Sequence, residues 1–235
     1  MENSAPLNAH DANLPAHPYN KHRIEALSDG IFAVTMTLLV IELKLPEHGT
    51  IQTQIDLVSA VAHLTPKFLS WLISFLVLSL FWIGHHRIFH YVRHVDGKFL
   101  SLCLVQLGIA SLMPFSSSLT GEYAGAIFSQ IFYSINMACL ALVALLMARY
   151  IFRHHELTVF PMPSWVYKSI RIRTIGVMII SVAAIIIASR FPAWGNAAFL
   201  LMLVIGLVVR RIEARNVKLS AINKSTDSSH STNSA

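Results

Sequence analysis

Six stretches of the chain are dominated by apolar residues, at about 24–45, 66–92, 98–118, 122–150, 168–190 and 193–212. Each holds about 20 residues or more, and a helix rising about 1.5 Å per residue crosses the roughly 30 Å hydrocarbon core of a bilayer in that length. The pattern predicts six transmembrane helices in an all-α integral membrane protein. Pro66 falls in the first turn of the second stretch, where a missing N–H is tolerated, and Trp71 and Trp82 stand where interfacial aromatics could anchor it. Pro114, near the end of the third, predicts a kink or an early stop. FPAWGN, residues 191–196, predicts a tight turn joining the last two helices as an antiparallel hairpin.

Composition agrees with this class. With 54% hydrophobic and 13% charged residues among 235, too little polar surface exists to coat a soluble globule. The first twenty residues, MENSAPLNAHDANLPAHPYN, are polar where a cleavable signal would be apolar, and SAINKSTDSSHSTNSA at the other end has no apolar periodicity. The expected organisation is a flexible tail over 1–20, a transmembrane domain over 21–215 and a second tail over 216–235. Cys103 and Cys139 both fall inside apolar spans and read as small core residues.

Charge orients the spans. With the N-terminus in the cytoplasm, Lys21, Arg23, Arg87, Arg93, Lys98, Arg149, Arg153, Lys168, Arg171, Arg173 and the five basic residues from Arg210 to Lys224 lie inside. Only Lys44, Lys67 and Arg190 lie outside, so the positive-inside rule places both termini in the cytoplasm. The net charge of +6 then follows from loop topology and anionic lipid, and no motif for nucleic-acid binding accompanies it. No internal repeat is visible, so any symmetry would come from oligomerisation.

The first helix carries the candidate chemistry. Leu27, Ile31, Val34, Leu38, Ile41 and Leu45 share one stripe at 100° per residue, with Thr37 at its edge. Periodicity alone leaves lipid contact, helix packing and a pore wall open as readings of this stripe. Asp29 cannot face hydrocarbon cheaply, so the side bearing Ser28 and Asp29 is expected to pack into its own subunit, leaving the stripe to face lipid or a symmetry axis. Arg23, Ser28 and Asp29 need partners, and Trp82 and His85 on the second helix lie at a comparable depth. An Asp paired with an imidazole or guanidinium there would set the rotation of the first helix.

Arg23, Leu27, Ser28 and Asp29, followed by GIFAVTMTLLVIELKLP, resemble the Arg-x-x-x-Phe-Ser-Asp signature and pore helix of the transmembrane protein 175 family of potassium channels. WIGHHRIFH at residues 82–90 resembles the end of that family's second helix, and Leu27 departs from the signature Phe. The resemblance implies a bacterial plasma-membrane channel of six helices per subunit, assembled as a homotetramer around its first helices. It also implies passive conduction of potassium and other monovalent cations with limited preference for potassium. The hydrophobic constriction then falls on Val34, Leu38 and Ile41, and the hydroxyl ring on Thr37. The same resemblance supports contact of the signature residues with Trp82 and His85. Thr37 has a second reading, bonded back to the carbonyl of Ala33. No TVGYG filter is present, and Thr174-Ile175-Gly176-Val177 lacks its Tyr-Gly end.

Other patterns carry less. His86, His90 and His94 recur at i, i+4, a spacing that can serve a metal, but only Asp96 stands beside them and no cofactor is expected. His154-His155-Glu156 lacks the order of a zinc protease. Gln106, Gln130, Ser134 and Asn136 read as interhelical hydrogen-bonding groups. A secondary transporter of a small solute is the alternative, and an intramembrane enzyme lacks any nucleophile or metal constellation.

Overall fold

The computed structural model describes residues 19–44 and 53–191, together with 195, 198–201, 206 and 211. The elements are helices: α1 (Lys21–Ile41), α2 (Gln54–His63), α3 (Thr65–Phe89), α4 (Gly97–Ser111), α5 (Met113–Glu122), α6 (Ile127–Arg153) and α7 (Ser164–Arg190), with a 3₁₀ turn over His155–Leu157. Among the described residues, extended pairing is confined to the isolated bridges Tyr19–Val95 and Val92–Thr158. Lys21–Ile41, Thr65–Phe89, Gly97–Glu122, Ile127–Arg153 and Ser164–Arg190 are long and apolar enough to cross a membrane. Most of the sixth expected span, 193–212, and most of the turn at 191–196 lie outside the described residues.

Local chemistry explains where the helices depart from the apolar pattern. Asn20, expected in the tail, caps α1 by accepting from the His22 N–H at 2.9 Å, so the helix begins before its apolar stripe. The third span is two helices: Leu112 closes α4 and opens α5, whose first turn holds Pro114. Proline lacks the N–H that a continuing helix would use, so the break falls just ahead of it. Leu64 and Pro66 separate α2 from α3 in the same way. The unpredicted α2 is started by a capping box, with Thr53 and Asp56 satisfying each other's backbone N–H groups at 3.2 and 2.9 Å. Its ten residues span about 15 Å, too short to cross. α7 begins at Ser164, ahead of the expected 168, because its first two turns carry Lys168 and Arg171 and fall below an apolar threshold while still forming helix.

α6 is the hub and packs on α7, α4, α5 and α3. In their most apolar 18-residue windows α6 is 56% buried and α1 only 28%, which puts α1 at the edge of the subunit. Two apolar clusters fill the bundle. One, around Phe32, Leu39, Val77, Met113, Tyr133 and Phe199, occupies its middle and the part toward the end of α1. The other, around Ile24, Phe89, Phe99, Met147 and Val166, lies toward the start of α1.

Hydroxyl groups tie α3, α5 and α6 together inside the first cluster. Ser70 Oγ meets Thr120 Oγ1 at 2.8 Å and donates to the Ser117 carbonyl at 2.9 Å. Ser74 Oγ donates to Ser117 Oγ at 2.9 Å and lies 3.0 Å from the Tyr133 hydroxyl. Asn136 Nδ2 donates to Ser116 Oγ at 2.9 Å, an interhelical bond of the expected kind, whereas Gln130 Nε2 donates to Ser134 Oγ within α6. Each such bond satisfies a group that has no water to turn to. Cys103 is fully buried and Cys139 half-buried, both as free thiols.

Candidate functional site

The two faces of α1 differ sharply. Ile24, Ser28, Phe32, Thr35 and Leu39 are buried against the subunit. Of the predicted stripe, Leu27, Val34, Leu38 and Ile41 are 46, 57, 42 and 55% exposed, so none of the described residues of the same subunit covers them. Ile31 instead packs against the core, and Leu45 lies outside the described residues. Ala26, Gly30 and Ala33 are also exposed, so the outward half of α1 is apolar and partly small-sided. Thr37 is exposed, and its Oγ1 donates to the Val34 carbonyl at 2.8 Å, one residue along from the Ala33 carbonyl considered above. That bond keeps a lone pair of the hydroxyl oxygen outward.

The signature residues divide between two environments. Ser28 is buried and donates to the Ile24 carbonyl at 2.8 Å. Asp29, expected to pack inward with it, is exposed at the edge of α1, where Oδ1 accepts from Trp82 Nε1 at 2.9 Å. One residue of helix turns a side chain by 100°, which suffices to move it from the core to the rim. Arg23 is exposed and pairs with no described residue.

His85 does not bond Asp29. It follows Trp82 by three residues, about 60° around the α3 axis, and that rotation aims the imidazole into the junction of α1, α3 and α4. There it is 2% exposed, between the Phe32 ring at 5.6 Å and the Phe89 ring at 4.7 Å. Its Nδ1 lies 3.0 Å from Gln106 Oε1, which makes Nδ1 the donor. His85 Nε2 and Gln106 Nε2 are buried without a partner. The expected Asp–imidazole pair is thus two separate contacts, Asp29–Trp82 at the rim and His85–Gln106 inside.

A family model described as "Endosomal/lysosomal potassium channel TMEM175" matches residues 23–114. A curated potassium channel of Chamaesiphon minutus is 38% identical over 121 residues, covering 48% of this chain and 59% of that protein. One from Streptomyces collinus is 31% identical over 129 residues, covering 51% of this chain and 61% of that protein. The matched segment spans only about three-fifths of the length of these two relatives. In three dimensions the chain resembles the crystal structure of a lysosomal potassium-selective channel TMEM175 homolog from Chamaesiphon minutus, with a TM-score of 0.67 and 28% identity. That likeness covers 80% of this chain and 97% of the other. Over residues 23–114 the chain is thus similar to the TMEM175 family.

The segment that matches the family model runs through α1–α4 to Pro114 in the first turn of α5, so it contains the open face of α1 together with Trp82, His85 and Gln106. Two members of this site escape a reading of α1 and α3 alone. Gln106 is the one amide side chain in the apolar run of α4, a visible signal, but which helix it serves depends on packing. Glu42 closes the apolar stripe, and its Oε2 accepts from Ser118 Oγ at 2.8 Å, which ties the far end of α1 to α5. α1 is therefore held in its first half by Asp29–Trp82 and at its far end by Glu42–Ser118. Among the described residues no group of three or more His, Cys, Asp or Glu side chains is placed to hold a metal ion.

Proposed function

We propose that this chain is a member of the TMEM175 family and one subunit of a homotetrameric, potassium-permeable cation channel of the bacterial plasma membrane, with both termini cytoplasmic. The observation that carries the reading is the open face of α1, where Val34, Leu38 and Ile41 are uncovered in a helix otherwise anchored to its subunit. Four such faces around one axis would stack apolar rings. A narrow apolar ring disfavours liquid water, so it gates by dewetting and by small changes in width. Thr37, with its hydroxyl oxygen outward, would offer a ligand to a partly dehydrated potassium ion beside those rings. Asp29–Trp82 and Glu42–Ser118 act as positioning contacts that set how α1 is rotated toward the axis. No re-entrant carbonyl filter takes part in this reading, and no cofactor is needed. Secondary transport has less behind it, because the uncovered face is apolar and the polar interior of the bundle is occupied by paired hydroxyls.

The test is flux through reconstituted full-length protein. Leu38→Asn should raise potassium flux in liposomes several-fold by wetting the ring, and the reversal potential under asymmetric potassium and sodium should report a potassium preference. Flux unchanged across polar replacements of Val34, Leu38 and Ile41 overturns this pore. Currents that follow only an imposed pH gradient would make the proton the permeant ion.

A further inference from the structure

Gln106 is fully buried in α4, and its side chain makes one hydrogen bond, Oε1 accepting from His85 Nδ1 at 3.0 Å. Its own Nε2 is unmatched. An amide that gives up water for a single bond adds little stability, because desolvation offsets most of what the bond returns. Its effect is geometric instead. His85 Nε2 is also unmatched, so the bond to Gln106 is the one hydrogen bond that holds the imidazole. The last torsion of a histidine side chain has broad, weakly preferred wells, so that bond selects the orientation of the ring.

That orientation reaches α1. The His85 ring stands 5.6 Å from the Phe32 ring, at an interplanar angle of 54°, and 4.7 Å from the Phe89 ring. Phe32 and His85 are both buried, so a turn of one ring is felt by the other. Phe32 stands behind the exposed stripe of α1: at about 100° per residue, Ile41 lies about 180° and Val34 about 200° around the helix from it. Thr37 and Leu38 flank that opposite direction, at about 140° and about 240°. A rotation of α1 set at Phe32 therefore exchanges Thr37 and Leu38 at the point facing away from the subunit.

We propose that Gln106 is a positioning residue for conduction: it holds His85, and through the contact of His85 with Phe32 it sets which of Thr37 and Leu38 α1 presents to the axis. This rests on the reading that α1 faces that axis. Asp29–Trp82 and Glu42–Ser118 tie α1 directly to α3 and α5, whereas this link runs through the interior and brings in α4. α4 thereby acts on the pore wall without an ion contact of its own.

Cross-linking between subunits in native membranes reads this rotation. In full-length protein with Cys103 and Cys139 replaced by alanine, the yields of Thr37→Cys and Leu38→Cys are compared under mild oxidation. Their ratio reports rotation, whereas a loss of stability lowers both yields together. Gln106→Met, which keeps the volume and removes the acceptor, should change the ratio several-fold. Gln106→Glu, which keeps Oε1 as an acceptor, should restore it. Phe32→Leu shortens the contact and leaves the hydrogen bond in place; it should also change the ratio, and it reads the same link should Gln106→Met not assemble. Gln130→Met, the same exchange at an amide bonded within α6, should leave the ratio as it was. An unchanged ratio in Gln106→Met or Phe32→Leu overturns the proposal, as does an equal change in Gln130→Met or a failure of Gln106→Glu to restore it. Strong cross-linking at a fixed ratio keeps α1 at the axis and rejects only the role of Gln106. No cross-linking at either position with Gln106 intact rejects the placement of α1, and the proposal with it.

Discussion

Gln106 and His85 form an exacting contact, a pair sealed between α1, α3 and α4 with one nitrogen of each unmatched. Removing one member of a buried pair leaves the other without a partner, whereas replacing both by apolar groups removes the demand altogether. Gln106→Leu alone should therefore cost about 1–3 kcal/mol, read as a lowered melting temperature in detergent. His85→Phe combined with Gln106→Leu should recover most of that loss. A double variant no more stable than Gln106→Leu would mean that some other contact of Gln106 carries the effect. At Asp29 the charge is solvent-accessible at the rim, so the Trp82 bond serves to orient α1 more than to stabilise the bundle.

At the level of elements, the packing of α3 on α5 contrasts with the open side of α4. A Cβ at Gly121 would lie 3.1 Å from the Lys67 Cα, main chain that yields only if the two helices separate, close to where Lys67 and Glu122 pair at 3.5 Å. Gly121→Ala should cost about 1–3 kcal/mol through overpacking. A Cβ at Gly108 of α4 meets nothing within 4 Å. Gly108→Ala should therefore stabilise the isolated subunit by about 0.5–1 kcal/mol by lowering the entropy of the unfolded chain. Melting curves of the two variants check both signs. A loss at Gly108 would show that another subunit covers that side of α4.

For the molecule as a whole, which helix faces the symmetry axis is the deciding matter. In a background with Cys103 and Cys139 replaced by alanine, Leu38→Cys should cross-link subunits in native membranes under mild oxidation. Ile179→Cys, on the exposed side of α7, should stay monomeric. The opposite result would put α7 at the axis and α1 in lipid. Dimers and higher bands on a non-reducing gel provide the measurement.

Much of the fold was legible because bilayer thickness fixes span length, and composition marks the spans with little help from context. The apolar runs found α1, α3, α6 and α7 and the third span, and Pro114 announced its break. α2 was missed because ten capped residues leave no membrane-length signature. The candidate site was legible as residue types at one depth: of the residues singled out, Asp29 meets Trp82 and His85 stacks near Phe32 along the α1–α3 boundary, while Ser28 bonds within α1. Their pairing was not, since successive helical positions diverge by 100° and small rotations decide whether Asp29 meets imidazole or indole. The sequence by itself determined that the chain is a helical membrane protein with an apolar stripe on its first helix, because hydrophobic length and period are local properties. Only the tertiary structure decided that the described residues leave Leu27, Val34, Leu38 and Ile41 uncovered while Ile31 packs inward, that His85 turns to Gln106, and that Arg173 reaches from α7 to the Leu80 carbonyl of α3, because each depends on how separate helices are rotated and spaced.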